Sequence, residues 1–408
     1  MKKLQTHQMI SKVVFITCIT VSLVSFVPMI FPFLIIESTI DIPHDDIELF
    51  ELGNWGLTLI VSNITFILFF ILFKLKKLPT SISKIIHIIS TKDISRNISF
   101  LIISFLIFFY IIFSVDELSR EEFELGDYDS VKRSLDQHEL TDYLLNTESL
   151  SISTTIRFTL LEASISIFDN VRVLPFIASI ALLFVTYAIT LELTKKRISA
   201  IIALCILLQS NLFLIFDTTA TYENFWTVFY FLSFYLIFKK SIGSHLSFIL
   251  SMLSKPLSIT FLPINLFAIF KKESSTFDKK ILVLSYSAII VLILIAFMLN
   301  LIPSAQNLVF DEQKFVLGFN ELSGALRFDG LILLLFFPTL VILMTKKGGI
   351  TKNVEIILVG ILFMLISQPV LYYVTGITIM PYRYIPFLVF VSIGIGMIFA
   401  SSKNNEVN

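Results

Sequence analysis

Cysteine is almost missing from this chain. Cys18 and Cys205 are its two, each inside an apolar run, so no disulfide framework or thiolate metal site can be read from them. Histidine is as scarce: His7, His44, His87, His138 and His245 show no ligand spacing, which speaks against a histidine metal centre. A carboxylate-held Mg or Mn stays compatible with the sequence. No glycine-rich phosphate loop follows a strand pattern, and the net charge is zero, which excludes the usual routes to nucleotide and nucleic-acid handling. Tandem repeats and low-complexity tracts are absent. Charge itself is sparse, at 15% of 408 residues.

What fills the chain is apolar surface: 56% of its residues are hydrophobic and its mean hydropathy is +0.87. About 20 apolar residues at ~1.5 Å rise cross a hydrocarbon core of ~30 Å. Such runs lie near 13–36, 55–73, 98–115, 172–193, 199–216, 225–238, 281–300, 330–345, 354–373 and 384–400. The expected fold is therefore an all-α, polytopic membrane protein with about ten transmembrane helices. The first run is longer than a signal core and lacks a small-residue cleavage site, so it is expected to remain as the first span.

Lysine and arginine distribution sets an orientation. With a cytoplasmic N-terminus, 22 of the 31 basic residues fall in inner connections, among them Lys74, Lys76, Lys77, Lys195, Lys196, Lys239, Lys240, Lys271, Lys272, Lys346 and Lys347. Every inner loop then satisfies the positive-inside rule. The stretch from Lys240 to Lys271 has basic residues at both ends and is too short to cross twice. It reads as a re-entrant hairpin of two short helices broken at Ser254-Lys255-Pro256, because proline ends a helix there. One long span with a misassigned flank is the alternative.

The outer connections are acidic. From Asp116 to Asp129 the chain carries seven carboxylates, and the connection continues to Asn170, far beyond an ordinary loop. Val131, Leu135, Tyr143 and Leu144, then Ile152, Ile156, Leu160, Ala163 and Ile167, recur near helical spacing, as in amphipathic helices lying on a bilayer surface. Most of the acidic side chains, Glu121, Glu122, Glu124, Asp127 and Asp129 among them, read as a solvated face. Asp116 and Glu117 differ, because they sit at the membrane boundary, where partial desolvation raises a carboxylate's pKa and makes it a better proton acceptor. A second outer loop, 301–329, carries Asp311, Glu312, Glu321 and Arg327. Arg172, the segment "DTTATYEN" (217–224) and "PYRYIP" (381–386) also fall on this side. Arginines there would hold a phosphate bidentately or snorkel, and Glu223 would cap the next span or bind donor.

These residues, in order, resemble the core of the GT-C glycosyltransferases of the protein O-mannosyltransferase and aminoarabinose-transferase type. The matching positions are Asp116-Glu117, Phe168-Asp169-Asn170, Arg172 with Pro175, and Glu223; "LSMLSKPLSITFLP" resembles the family's Lys-containing broken helices and "YRYIPFL" its Arg-Tyr-x-x-Pro segment. Asp169 stands where the family has glycine, and two extra spans precede the Asp-Glu loop. Asp41, Asp45, Asp46, Glu48 and Glu51, after the first span, compete for the place of the family's first outer loop.

The resemblance covers roughly 98–400, which divides the chain into a two-span extension (1–97), a core (98–400, with the outer loop 116–170) and a cytoplasmic tail (401–408). It implies inverting transfer of a sugar from a polyprenyl-phosphate carrier to a lipid, glycan or protein acceptor at the non-cytoplasmic face. Asp116 and Glu117 would be catalytic, and Arg172, Glu223, Lys255, Arg383 and Tyr384 would bind substrate and phosphate. Both termini would be cytoplasmic, and the membrane would be the plasma membrane if the chain is prokaryotic. Two rival readings are a transporter or flippase for lipid-linked saccharide and a non-catalytic accessory subunit.

Overall fold

The computed structural model describes residues 2–36, 50–120, 122, 126–137, 155–221, 223–241, 243–272, 276–298, 315–319, 322, 327, 329–345, 352–375 and 381–400. All regular structure among them is helical. Six helices are long and apolar enough to cross a membrane: Lys12–Ile30, Gly56–Lys74, Arg96–Ser119, Val173–Thr194, Asn353–Tyr373 and Pro381–Ile398. Shorter apolar helices occupy Arg197–Leu208, Phe225–Phe238, Pro256–Lys271 and Gly330–Met344. The run near 281–300 falls on a helix from Thr276 to Met298.

The chain forms two compact units, 1–93 with 193–203 and 299–408, and 94–192 with 204–298. This differs from the boundary expected at 97/98. The N-terminal spans share a unit with C-terminal helices and pack part of their surface on them, while most of Gly56–Lys74 stays exposed. Phe26, on α1 (Lys2–Ile30), packs its ring 5.9 Å from Phe336, which in turn lies 5.2 Å from Phe387. Ile385–Ile398 is apolar on every side and buried along nearly its whole length, as a helix without a polar stripe must be. Gly360 is required beside it, since a Cβ there would fall 2.6 Å from the Phe390 ring.

In the other unit the centre is α2 (Phe225–Phe238). α3 (Gly243–Ser254) lays a row of serines on it: Ser247 Oγ donates to Phe229 O at 2.7 Å and Ser251 Oγ to Trp226 O at 2.7 Å. Small hydroxyl residues let two backbones approach closely and satisfy their own donors at once. Below them, Ser233, Ser244, Asn265 and Tyr286 form one buried network, with Tyr286 Oη 2.8 Å from both serine hydroxyls and 3.1 Å from Asn265 Nδ2. It joins four helices.

Lysines close several helices. Lys76 and Lys240 take positive φ (57° and 58°), and their amides, with those of Lys77 and Ser241, bond back to the last turn (Lys76 N to Phe73 O, 3.0 Å; Lys77 N to Leu72 O, 2.9 Å; Lys240 N to Ile237 O and Ser241 N to Leu236 O, both 3.1 Å). This paired closure satisfies carbonyls that a helix end leaves open.

Candidate functional site

The second unit gathers ionisable side chains where its apolar helices end. α4 (Arg96–Ser114) runs into a 3-10 turn, Val115–Ser119, which carries Asp116 and Glu117 on its first residues. Asp116 is exposed, and its carbonyl accepts from Ser119 Oγ at 2.7 Å. Glu117 is half-buried, and its Oε2 accepts from Thr218 Oγ1 at 3.2 Å.

Arg172 ties this turn to the 217–224 loop. Its guanidinium donates to the carbonyls of Glu117 and Arg120 (3.0 Å to the latter) and to Thr218 O at 3.2 Å, and it lies 3.4 Å from Glu122 Oε2. Arg172 is 5% exposed. Expected either to hold a phosphate or to snorkel, the guanidinium has donors turned to protein oxygens. Glu122, expected on a solvated face, is instead buried between Arg172 and the amide of Thr221, from which it accepts at 3.0 Å. Nothing in the local pattern separated it from its acidic neighbours.

A second ion pair lies across the same loop. α5 (Thr155–Phe168) is helical as expected, but Leu161 and Ser164 form its buried line and Ile167 is exposed. It carries Arg157, whose Nε is 3.0 Å from Glu223 Oε2 and whose Nη2 donates to Thr221 O at 2.6 Å. Lys255 stands in extended backbone at the break between Ser254 and Pro256, as the sequence predicted, with Nζ 5.7 Å from the Trp226 ring centre. Glu223 is 2% exposed. Burial pushes its pKa up, while the positive charges of Arg157 and Lys255 pull it back.

Asp217 opens the same loop, and no local pattern in the sequence marks it as the more buried of the loop's acids. Its carboxyl is 1% exposed, takes Ser114 Oγ at 3.1 Å and faces the Tyr110 hydroxyl. Burial raises its pKa to about 7; hydrogen bonding by Tyr110, Ser114 and the Thr218 amide opposes that rise, and the Glu117 charge adds to it.

The Phe168-Asp169-Asn170 turn explains itself. Asp169 has φ 53°, the left-handed region that favours glycine, and its amide bonds Ile165 O at 2.8 Å to end α5. Asn170 then stitches the turn in place, donating to Leu118 O and accepting from Arg172 N, each at 2.8 Å. Because Asp169 is exposed, Asp169→Gly should raise stability by up to about 1 kcal/mol. Thermal unfolding of the purified variant checks this; a lowered midpoint would mean the side chain holds something.

Arg383 and Tyr384 lie in the first unit, in a 3-10 turn ahead of Ile385–Ile398. Arg383 Cζ stacks 5.8 Å from the Tyr382 ring centre, and Tyr384 is buried. Glu51 is exposed, and Arg327 donates to Pro28 O at 2.9 Å. Asp41, Asp45, Asp46, Glu48, Glu121, Tyr143, Leu144, Ile152, Asp311, Glu312 and Glu321 fall outside the described residues. Among the described residues, no three His, Cys, Asp or Glu side chains come together as a metal-binding group.

Among the described residues, fold and site define an all-helical chain with helices apolar enough to cross a membrane and a group of buried ion pairs in one unit. Comparison with protein-family models, curated proteins and solved structures finds no match to this chain.

Proposed function

We propose that the chain is a membrane glycosyltransferase that moves a sugar from a polyprenyl-phosphate carrier to an acceptor hydroxyl at the non-cytoplasmic face. One observation carries this reading. Glu117, Glu122, Arg157, Arg172, Asp217, Glu223 and Lys255, remote along the sequence, collect around one loop at the ends of apolar helices, and Asp116 precedes Glu117 in the same turn. A transporter would instead need such groups along a path near the bilayer midplane.

In this reading ten spans place both termini in the cytoplasm, and the break at Lys255 is the tip of a re-entrant hairpin. Asp116, the exposed carboxylate of the turn, takes the proton as the acceptor oxygen attacks the anomeric carbon. The bond from that carbon to the phosphate oxygen breaks, and the phosphate leaves carrying its electron pair. Lys255, with Arg157 beside Glu223, stabilises the leaving charge. Arg172 and Glu117 hold the turn that presents Asp116. A Mg or Mn ion remains compatible with the exposed carboxylates.

Asp116→Asn is the test. In liposomes supplied with a panel of polyprenyl-phosphate sugars, transfer should fall at least about 100-fold. The unfolding midpoint should not change, since Asp116 is exposed. Full activity in this variant would remove the base from Asp116.

A further inference from the structure

The connection between Lys74 and Arg96 contains a helix, α6 (Thr80–Thr91), that no catalytic reading uses. Its five isoleucines, Ile82, Ile85, Ile86, Ile88 and Ile89, occupy one face, with Lys84, His87 and Thr91 opposite. Ile86 and Ile89 are half-buried, and the Ile89 carbonyl accepts the Lys196 amine, which also donates to Phe399 O at 2.9 Å. That edge is held by the protein. The other edge of the apolar face is open: Ile82, Ile85 and Ile88 are 38%, 57% and 48% exposed.

Charge around this edge identifies what covers it. Lys74, Lys76, Lys77, Lys84 and Lys92 are all exposed, and no carboxylate occurs between Lys74 and Lys92. The helix also follows directly on Gly56–Lys74 and precedes Arg96–Ser119, both long and apolar enough to cross a membrane. A short helix joining two such segments starts and ends at bilayer-surface level. An isoleucine edge bordered by these lysines, with the neighbouring Asp93 paired to Arg197 at 3.2 Å, fits the acyl boundary beneath anionic headgroups.

We infer that α6 is an in-plane anchor, whose Ile82, Ile85 and Ile88 enter the bilayer surface while the surrounding lysines bind anionic phospholipid. This rests on the membrane placement of the chain and is independent of its catalysis. It makes the protein's seating, and whatever depends on it, sensitive to the anionic lipid content of that leaflet.

The test uses the full chain in nanodiscs, with a polarity-sensitive fluorophore on a single introduced cysteine at Ile85, His87 or Ile64, and iodide as aqueous quencher. Ile64 lies on Gly56–Lys74, 53% exposed, and reports the membrane placement alone. In discs containing phosphatidylglycerol, quenching at Ile85 should be at least about threefold weaker than at His87. The difference should shrink in pure phosphatidylcholine and in a Lys76→Gln, Lys77→Gln, Lys84→Gln variant. Equal quenching at Ile85 and His87 in every disc overturns the anchor, and protection of Ile85 that ignores lipid charge overturns its anionic-lipid specificity. Quenching of Ile64 as strong as that of His87 would instead overturn the membrane placement.

Discussion

Asp217→Asn should make the protein more stable at about pH 8 while leaving it nearly unchanged near pH 4. The folded carboxyl titrates at about 7, against 3.8 for the ordinary group. Below 3.8 both folded and unfolded chains hold the proton, and Asp217 costs nothing as a charge. Between 3.8 and about 7 only the folded chain holds it, so stability falls as pH rises. Above that window the full penalty of a buried carboxylate is in force, about 4 kcal/mol by linkage at 1.36 kcal/mol per pH unit. Asparagine removes the titration and keeps a carbonyl oxygen that can accept from Ser114 Oγ. Denaturant unfolding at several pH values reads this directly. Parallel curves for the two proteins would mean that Asp217 does not titrate in this window.

Arg157→Met should cost about 3 kcal/mol, because it leaves the Glu223 carboxylate buried without its closest cation. Two features of the site shape the result. Lys255 still faces Glu223, which keeps the loss at the lower end for a buried pair. Arg157 also donates to the carbonyls of Ala220 and Thr221, so part of the loss belongs to the loop backbone. Adding Glu223→Gln to Arg157→Met should recover the electrostatic part and leave the backbone part, a separation that a double-mutant cycle measures. If Glu223→Gln gives no recovery, the ion pair is not what Arg157 contributes.

The helical segments and the helix break could be read in advance, because both depend on local pattern. Apolar runs fall on helices throughout, and Pro256 ends the helix that the lysine beside it interrupts. Burial of individual charges could not. Glu122 looks like any member of an acidic run until Arg172, fifty residues on, lies 3.4 Å away. Asp217 and Glu223 share one loop, and only packing against Tyr110 and Ser114 marks Asp217 as the carboxyl that titrates near neutrality. Arg157 sits on a helix whose apolar spacing points to Ile156 and Leu160, whereas the protein covers Leu161. Likewise the pairing of the first spans with the last ones is a long-range contact that no periodicity encodes.

Asp169 is a different case. Its left-handed backbone is the conformation that glycine adopts most readily, yet the residue there is an aspartate. The turn geometry is kept at some local strain, and Asn170 and Arg172 retain the bonds that position the Asp116 turn.

Binding of a polyprenyl phosphate to the purified chain, followed by native mass spectrometry, tests the central claim without knowing the sugar. Saturable binding that survives Asp116→Asn, outcompetes phosphatidic acid and weakens at least about tenfold in Lys255→Gln is the expected outcome, one charge-assisted phosphate contact being worth that much. Binding no tighter than that of phosphatidic acid, or equal in the Lys255 variant, would contradict a donor-phosphate site at this loop.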